Sequence, residues 1–457
     1  MSNFWDYSVW GWLNLISVLM LSLFAANVLK RSIKALKASL IPASVLGGGV
    51  LLLIAAIYKT ITKEVMFDTL FFNNSGSANL ETLTYHALAL GFIASTFKSS
   101  KGKLTKKRTV EIFNTGVTTV STYLLQAIAG LTITIIAAYV VKDSFSAAGL
   151  LLPFAYGQGT GQALNYGTIY ETDYGFAGGK AFGLTIAALG FLSACIGGVF
   201  KLSIIKRKGI KIDKGNKQMQ ASDFQSEGEI PITGSMDKFT VQIALIMTAY
   251  FITYFIMMLL GKLLPGMKSV IYGFNFLIGV LSASLINAVL GFLNNKKIIK
   301  KKYTNDFLMT RCSNFFFDIM VVAGIAAIRL DLIEKYWGII AILAVVGLVI
   351  TYIYNLIIAK KLFAEYENEQ FLTMFGMLTG TASTGVILLR EIDGDFKSPA
   401  ADNMVYQNFP AIVFGFPIML LATLAPKKPI LTLIILVIFF IVMNVILFRS
   451  FIFKRKK

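Results

Sequence analysis

The sequence predicts an all-α polytopic membrane protein: two inverted five-helix repeats, each with a re-entrant hairpin loop, plus one extra C-terminal transmembrane helix. Three observations carry that reading. The 457 residues are 56% hydrophobic and only 15% charged, more apolar surface than a soluble chain of this length keeps from water. Apolar stretches of about 20 residues, enough to cross a ~30 Å hydrocarbon core, recur along the chain without the period-two alternation of an outer-membrane barrel. A polar, glycine-studded run interrupts them twice, half a chain apart.

The first span covers about Tyr7 to Leu29, behind a start rich in tryptophan (Trp5, Trp10, Trp12) that suits the membrane interface. With no basic n-region and no cleavage site before it, this span is expected to be retained. A second covers about Ser39 to Ile57, and the stretch Asn73-Asn74-Ser75-Gly76-Ser77 beyond it reads as a loop. A third, about Leu80 to Phe97, leads into the basic cluster Lys98, Lys101, Lys103, Lys106, Lys107 and Arg108. A fourth covers about Phe113 to Val141. The apolar piece from Phe145 to Ala155 is too short to cross and runs into glycines, so a re-entrant loop is expected over about 145–167. A fifth span, about Phe176 to Phe200, closes the first repeat, residues 1–200.

Residues 201–237 form a hydrophilic linker, with Lys206, Arg207 and Lys208 near its start. The second repeat, residues 238–425, follows the same plan. Spans at about Phe239 to Gly261, Val270 to Phe292, Phe307 to Leu330 and Trp337 to Ala359 precede a second re-entrant loop, about 371–395. A fifth span covers about Ala400 to Leu424. Pro426-Lys427-Lys428-Pro429 then leads into the extra span, about Leu431 to Phe448, within residues 426–457.

The net charge is +19, but its placement argues against a nucleic-acid partner. Lysines and arginines gather in short clusters between spans, thirty on the side of the linker and nine on the other. The positive-inside rule therefore puts the linker and the C-terminus in the cytoplasm and the N-terminus outside. Five spans per repeat, an odd number, invert the second repeat relative to the first. The first loop then enters from outside, the second from the cytoplasm, and their tips meet near the midplane. Cys195 and Cys312 lie within apolar segments and read as small buried hydrophobes.

The two interruptions resemble one another. Gly157-Gln158-Gly159-Thr160-Gly161-Gln162-Ala163 and Gly376-Met377-Leu378-Thr379-Gly380-Thr381-Ala382 share the pattern Gly-x-x-Thr-Gly-x-Ala at an offset of 219. Beyond them, Glu171, Asp173 and Phe176 are echoed by Glu391, Asp393 and Phe396 at an offset of 220. Paired broken, polar elements in corresponding positions point to a transporter's binding site.

This plan, with the motif Gly157-Gln158-Gly159-Thr160-Gly161, resembles the bacterial sodium/glutamate symporter family over nearly the whole chain. The resemblance implies sodium-driven uptake of L-glutamate across a bacterial inner membrane by alternating access, and a homodimer. Related carriers of malate, citrate and other 2-hydroxycarboxylates share the architecture and supply the alternative substrate. The chain departs from the family in its eleventh span and in the less glycine-rich second loop, where Met377 and Leu378 stand between the glycines.

The chemistry fits a small anionic amino acid or dicarboxylate and a hard cation. Carboxylates call for helix N-termini, hydroxyls or a guanidinium, and sodium for carbonyl and hydroxyl oxygens. The candidate substrate residues are Gly157, Gln158, Gly159, Thr160, Gly161 and Gln162 in the first loop, and Thr379, Gly380, Thr381, Ser383 and Thr384 in the second. Small residues also permit close helix packing, which is the competing account of the glycines. Arg390 offers a planar fork for a carboxylate, or else pairs at the surface with Glu391, Asp393 or Asp395. Asn403 and Gln407, four apart, either face the second loop or belong to a solvated helix start.

Thr160, Asn165, Ser383 and Asp318 are the candidate sodium ligands. Asp318 shares a helical face with Arg311 and Asn314, so it serves either ion coupling or a structural pair with Arg311. His86, near Glu81, reads as a packed residue.

A single histidine, no metal-ligand spacing and no Gly-x-Ser-x-Gly elbow argue against an enzyme. Nothing points to the symmetric ring of a pore. No cofactor is expected beyond sodium as the coupling ion.

Overall fold

The computed structural model describes residues 3–38, 40–97, 105–140, 144–209, 229–230, 236–265, 268–299, 301–394 and 397–452. Most of the linker, Lys98, Lys101 and Lys103 of the basic cluster, Val141, Lys142, Asp395 and Phe396 lie outside these residues. The described chain is helical. No strand forms in it beyond one isolated bridge, Glu229 with Lys302.

In chain order the helices are α1 (Tyr7–Ser32), α2 (Lys34–Ala38), α3 (Ala43–Thr62), α4 (Gly76–Thr96), α5 (Lys106–Val140), α6 (Leu151–Tyr174), α7 (Gly179–Arg207), α8 (Lys238–Leu263) and α9 (Lys268–Gly273). They continue as α10 (Asn275–Asn295), α11 (Asp306–Ala326), α12 (Trp337–Leu362), α13 (Glu367–Thr379), α14 (Ala382–Arg390), α15 (Ala400–Tyr406), α16 (Asn408–Leu424), α17 (Pro429–Leu447) and α18 (Arg449–Ile452).

Among the described residues, α1, α3, α5, α7, α8, α10, α11, α12 and α17 are each long and apolar enough to cross a membrane. The chain is therefore a multi-pass membrane protein. Of the eleven expected spans, two do not reach that standard. Helix α4 has 21 residues but opens on Ser77, Asn79, Glu81, Thr82 and Thr84. The expected tenth span is divided at Gln407, and its longer part, α16, has 17 residues. Pro410 explains the division, because it has no N–H with which to reach the Tyr406 carbonyl one turn back. The expected seventh span is likewise divided, at Phe274 between α9 and α10.

The chain forms two compact units. One comprises Met1–Leu80, Leu104–Asn216 and Val322–Lys457. Its longest helix, α5, has 35 residues and packs against α12, α16 and α17. Helix α17 is fastened by polar contacts as well: the Tyr354 hydroxyl donates to Asn444 Oδ1 at 2.8 Å, and beyond the helix Arg449 donates to Asn114 Oδ1 of α5 at 2.9 Å. The same guanidinium lies 5.1 Å from the centre of the Phe113 ring. On another flank, Asp331 receives Lys59 at 2.8 Å and Arg329 at 3.1 Å. Burial pushes the Asp331 carboxyl up, but these bonds outweigh it and hold the group at about 2.

The second unit comprises Glu81–Lys103 and Lys217–Val321. Its core gathers Ile93, Ala94, Phe97, Ile246, Ala249, Ala283, Met309 and Cys312. The end of the linker is clamped here. Lys238 donates to Glu229 Oε2 at 2.8 Å with both side chains buried, Asn305 Nδ2 donates to the same oxygen at 2.7 Å, and Ile230 N donates to the Lys302 carbonyl at 3.1 Å. Asp237 caps α8 by accepting from the Phe239 and Thr240 amides.

Candidate functional site

Helix α6 is two helical arms with a reversal between them. Gly159 has φ 77° and ψ −169°, a conformation essentially reserved to glycine. The Phe154 and Tyr166 rings stack with centroids 3.8 Å apart, whereas twelve residues along a straight helix would separate them by about 18 Å. The arms therefore fold into a hairpin. The returning arm continues to Tyr174, beyond the expected limit at 167, and packs antiparallel on α7. There Gly167 meets Gly179 and Lys180, and Gly183 meets Ala163.

A second hairpin is formed by α13 and α14. Helix α13 ends at Thr379, Gly380 (φ −144°, ψ −105°) is non-helical, Thr381 is extended, and α14 starts at Ala382. The arms press together so closely that a Cβ on Gly376 would lie 2.8 Å from Gly385 Cα, and one on Gly385 2.5 Å from the Thr373 carbonyl oxygen. Folding back about Gly380 is the arrangement that satisfies both contacts. The reversals thus fall at Gly159 and at Gly380-Thr381. The sequence pattern pairs Gly159 with Leu378, so the motif and the turns are about two residues out of step.

Both tips rest on one face of α5. The Tyr123 hydroxyl donates to the Gly157 carbonyl at 3.0 Å, and Gln126 Nε2 donates to the Leu378 carbonyl at 2.9 Å. Three residues apart, these donors are neighbours on the helix surface. Gly190 of α7 meets both hairpins as well: a Cβ there would lie 2.5 Å from the Thr379 carbonyl oxygen and 3.1 Å from the Tyr156 ring. Thr160 also packs on Gly324.

Polar side chains extend the site along α5. Thr119 donates to Gln407 Oε1 at 2.9 Å, and Gln407 Nε2 reaches Met377 Sδ at 3.6 Å. Asn403 Nδ2 donates to the Tyr366 hydroxyl at 2.9 Å and to Gln370 Oε1 at 3.2 Å. Gln370 Nε2 in turn reaches Thr115 Oγ1 at 3.2 Å. Asn403 and Gln407 thus face α13 and are buried, so they are not a solvated helix start.

The predicted residues divide into three groups. The structure brings Gly157, Gly159, Thr160, Gly161, Gln162, Thr379, Gly380 and Thr384 to the two turns, buried, with Gln158 and Thr381 there and half-buried. Asn165 lies buried on the returning arm, 3.5 Å from Gln162 Oε1. Arg390 is exposed at the far end of α14, nine residues and about 13 Å along the helix from Thr381, and is not brought to the tips. Asp318, Asn314 and Arg311 occupy the exposed face of α11 in the second unit, where the Arg311 guanidinium lies 4.9 Å from the Phe307 ring centre. The Ser383 side chain lies outside what the structure describes.

Sequence reasoning missed Tyr123, Gln126, Thr119 and Gln370. For the residues of α5 the signal was the run Thr115, Thr118, Thr119, Ser121 and Thr122 with Gln126 inside a span, all of them buried in the structure; Gln370, on α13, carried no such signal. A cavity of about 380 Å³ lies elsewhere in this unit, lined in part by Lys59, Lys63, Arg329 and Asp331. The tips themselves are tightly packed.

What the fold and site define is a helical multi-pass membrane protein with two broken-helix hairpins meeting on one long helix. Comparison with models of known protein families and with curated proteins finds no match.

Proposed function

We propose that the protein is a secondary active carrier that takes up L-glutamate together with sodium by alternating access, another dicarboxylate such as malate or citrate being the alternative substrate. One observation carries the reading: two hairpins with reversed, buried tips are held by a single face of α5, through Tyr123 and Gln126. Broken backbone at membrane depth is tolerated where protein buries it or a cavity solvates it, and paired broken helices are how such carriers build their sites.

The charge logic supports an anionic solute. The returning arm of α6 begins at Thr160 and α14 begins at Ala382, so both hairpins turn a helix N-terminus, the positive end of its dipole, toward the tips. With Arg390 distant, carboxylate recognition falls to these N-termini and to Thr160, Thr379 and Thr384. Sealed tips suit an occluded state, from which rocking of one element against another would open either side. The lysine and arginine asymmetry favours an N-terminus outside, and the bacterial inner membrane enters this reading through the family resemblance. Homodimerisation remains part of this reading through the family resemblance.

The test is counterflow in proteoliposomes with labelled glutamate, malate and citrate, with and without a sodium gradient. Sodium-dependent accumulation of one of them is expected. Accumulation of none, or accumulation indifferent to sodium, would overturn the reading.

A further inference from the structure

Four buried polar side chains face each other where α5 meets α12: Thr122 and Gln126, one turn apart on α5, and Thr351 and Asn355, one turn apart on α12. Gln126 Nε2 donates to Thr351 Oγ1 at 2.8 Å and to the Leu378 carbonyl at 2.9 Å. Asn355 Nδ2 donates to the Thr351 carbonyl at 2.9 Å and approaches Thr122 Oγ1 at 3.4 Å.

A main-chain carbonyl can only accept, so each amide must present its nitrogen to it. That fixes both amide orientations and leaves two oxygens over. Gln126 Oε1 and Asn355 Oδ1 are buried with no hydrogen-bond partner. Orphaned acceptors in a dry interior are unfavourable, and both belong to residues anchored on Thr351.

We propose that a monovalent cation, Na⁺ in the carrier reading on which this rests, binds here between α5 and α12, held by Gln126 Oε1 and Asn355 Oδ1. The donor set is all oxygen and all neutral, which suits a hard, singly charged ion. Among the described residues no group of histidine, cysteine, aspartate or glutamate gathers to hold a metal of higher charge. The position explains coupling. Gln126 holds Leu378, two residues before the Gly380 break, so a cation on its oxygen stiffens the amide that pins the second hairpin.

The test is equilibrium binding of radioactive ²²Na⁺ to the purified protein in detergent, without organic substrate, for wild type, Gln126→Met and Asn355→Leu. Saturable binding by wild type is expected, with affinity lowered about tenfold or more in each variant. The rise in melting temperature that sodium gives wild type should shrink in parallel. Asn355→Leu leaves the Gln126 bonds in place, so it decides the matter if Gln126→Met does not fold. Unaltered affinity in a folded variant, or no saturable binding by wild type, overturns the site. Sodium-dependent counterflow by wild type, alongside unaltered affinity in the variants, would remove this site and leave the carrier reading standing.

Discussion

Gly159 is the residue on which the first hairpin depends. Any side chain there must adopt φ 77° with ψ −169°, so Gly159→Ala should lower stability by about 1–3 kcal/mol and misplace the tip, seen as a lower melting temperature with transport lost. A variant with wild-type melting and transport would show that the reversal is not needed. Three glycines within five residues, Gly157, Gly159 and Gly161, made a turn legible in the sequence but not which glycine turns. The choice is made by a long-range contact, the Phe154 and Tyr166 stack, which no local pattern encodes. Asp331 offers a second test. Its carboxyl is held at about 2, below the ordinary ~3.9, so its contribution is complete above about pH 4 and lost as pH falls through about 2. Being partly exposed, the cluster contributes no more than about 1 kcal/mol. Asp331→Asn should therefore melt slightly below wild type at neutral pH, with the gap narrowing as the pH drops below 4; a gap independent of pH would contradict this.

Among the elements, long apolar helices were the most legible, because composition alone sets where a segment can live in a bilayer. The helices that carry polar chemistry were less so. Helix α5 reads as a plain span, since threonines donate to their own helix, as Thr118 and Thr122 do, and so disguise a face that is also used for contacts between helices. The division at Gln407 was legible in principle from Pro410. The clamp at the end of the linker was not, because Glu229 and Lys238, nine residues apart, are brought together and buried only where Asn305, 76 residues from Glu229, closes over them. Breaking one side of this buried pair, by Glu229→Gln or Lys238→Met, should lower stability by about 3–5 kcal/mol, and the double variant should recover part of it. Thermal unfolding in detergent measures both, and unchanged melting in the single variants would deny the clamp its role.

For the whole molecule, membrane embedding was legible from composition, and the two interruptions of the apolar pattern marked where the chain would reverse. Both turns and the pair Asn403 and Gln407 come together around α13 and α5. Arg390 and Asp318 stand elsewhere, because spacing along one helix says which residues share a face but not what that face meets. In the proposed carrier, substrate identity rests on the chemistry of neutral hydroxyls and helix ends.

The attachment of α17 to α5 has a consequence for assembly. Helix α5 leaves the ribosome long before α17 exists, so the flank that α17 later covers and Arg449 later fastens must first sit against lipid or the insertion machinery, with Asn114 lacking its arginine. The long helix on which both hairpins rest is thus among the earlier spans to be inserted and among the later ones to be enclosed, which makes a loosely packed, half-built bundle an obligatory stage in biogenesis.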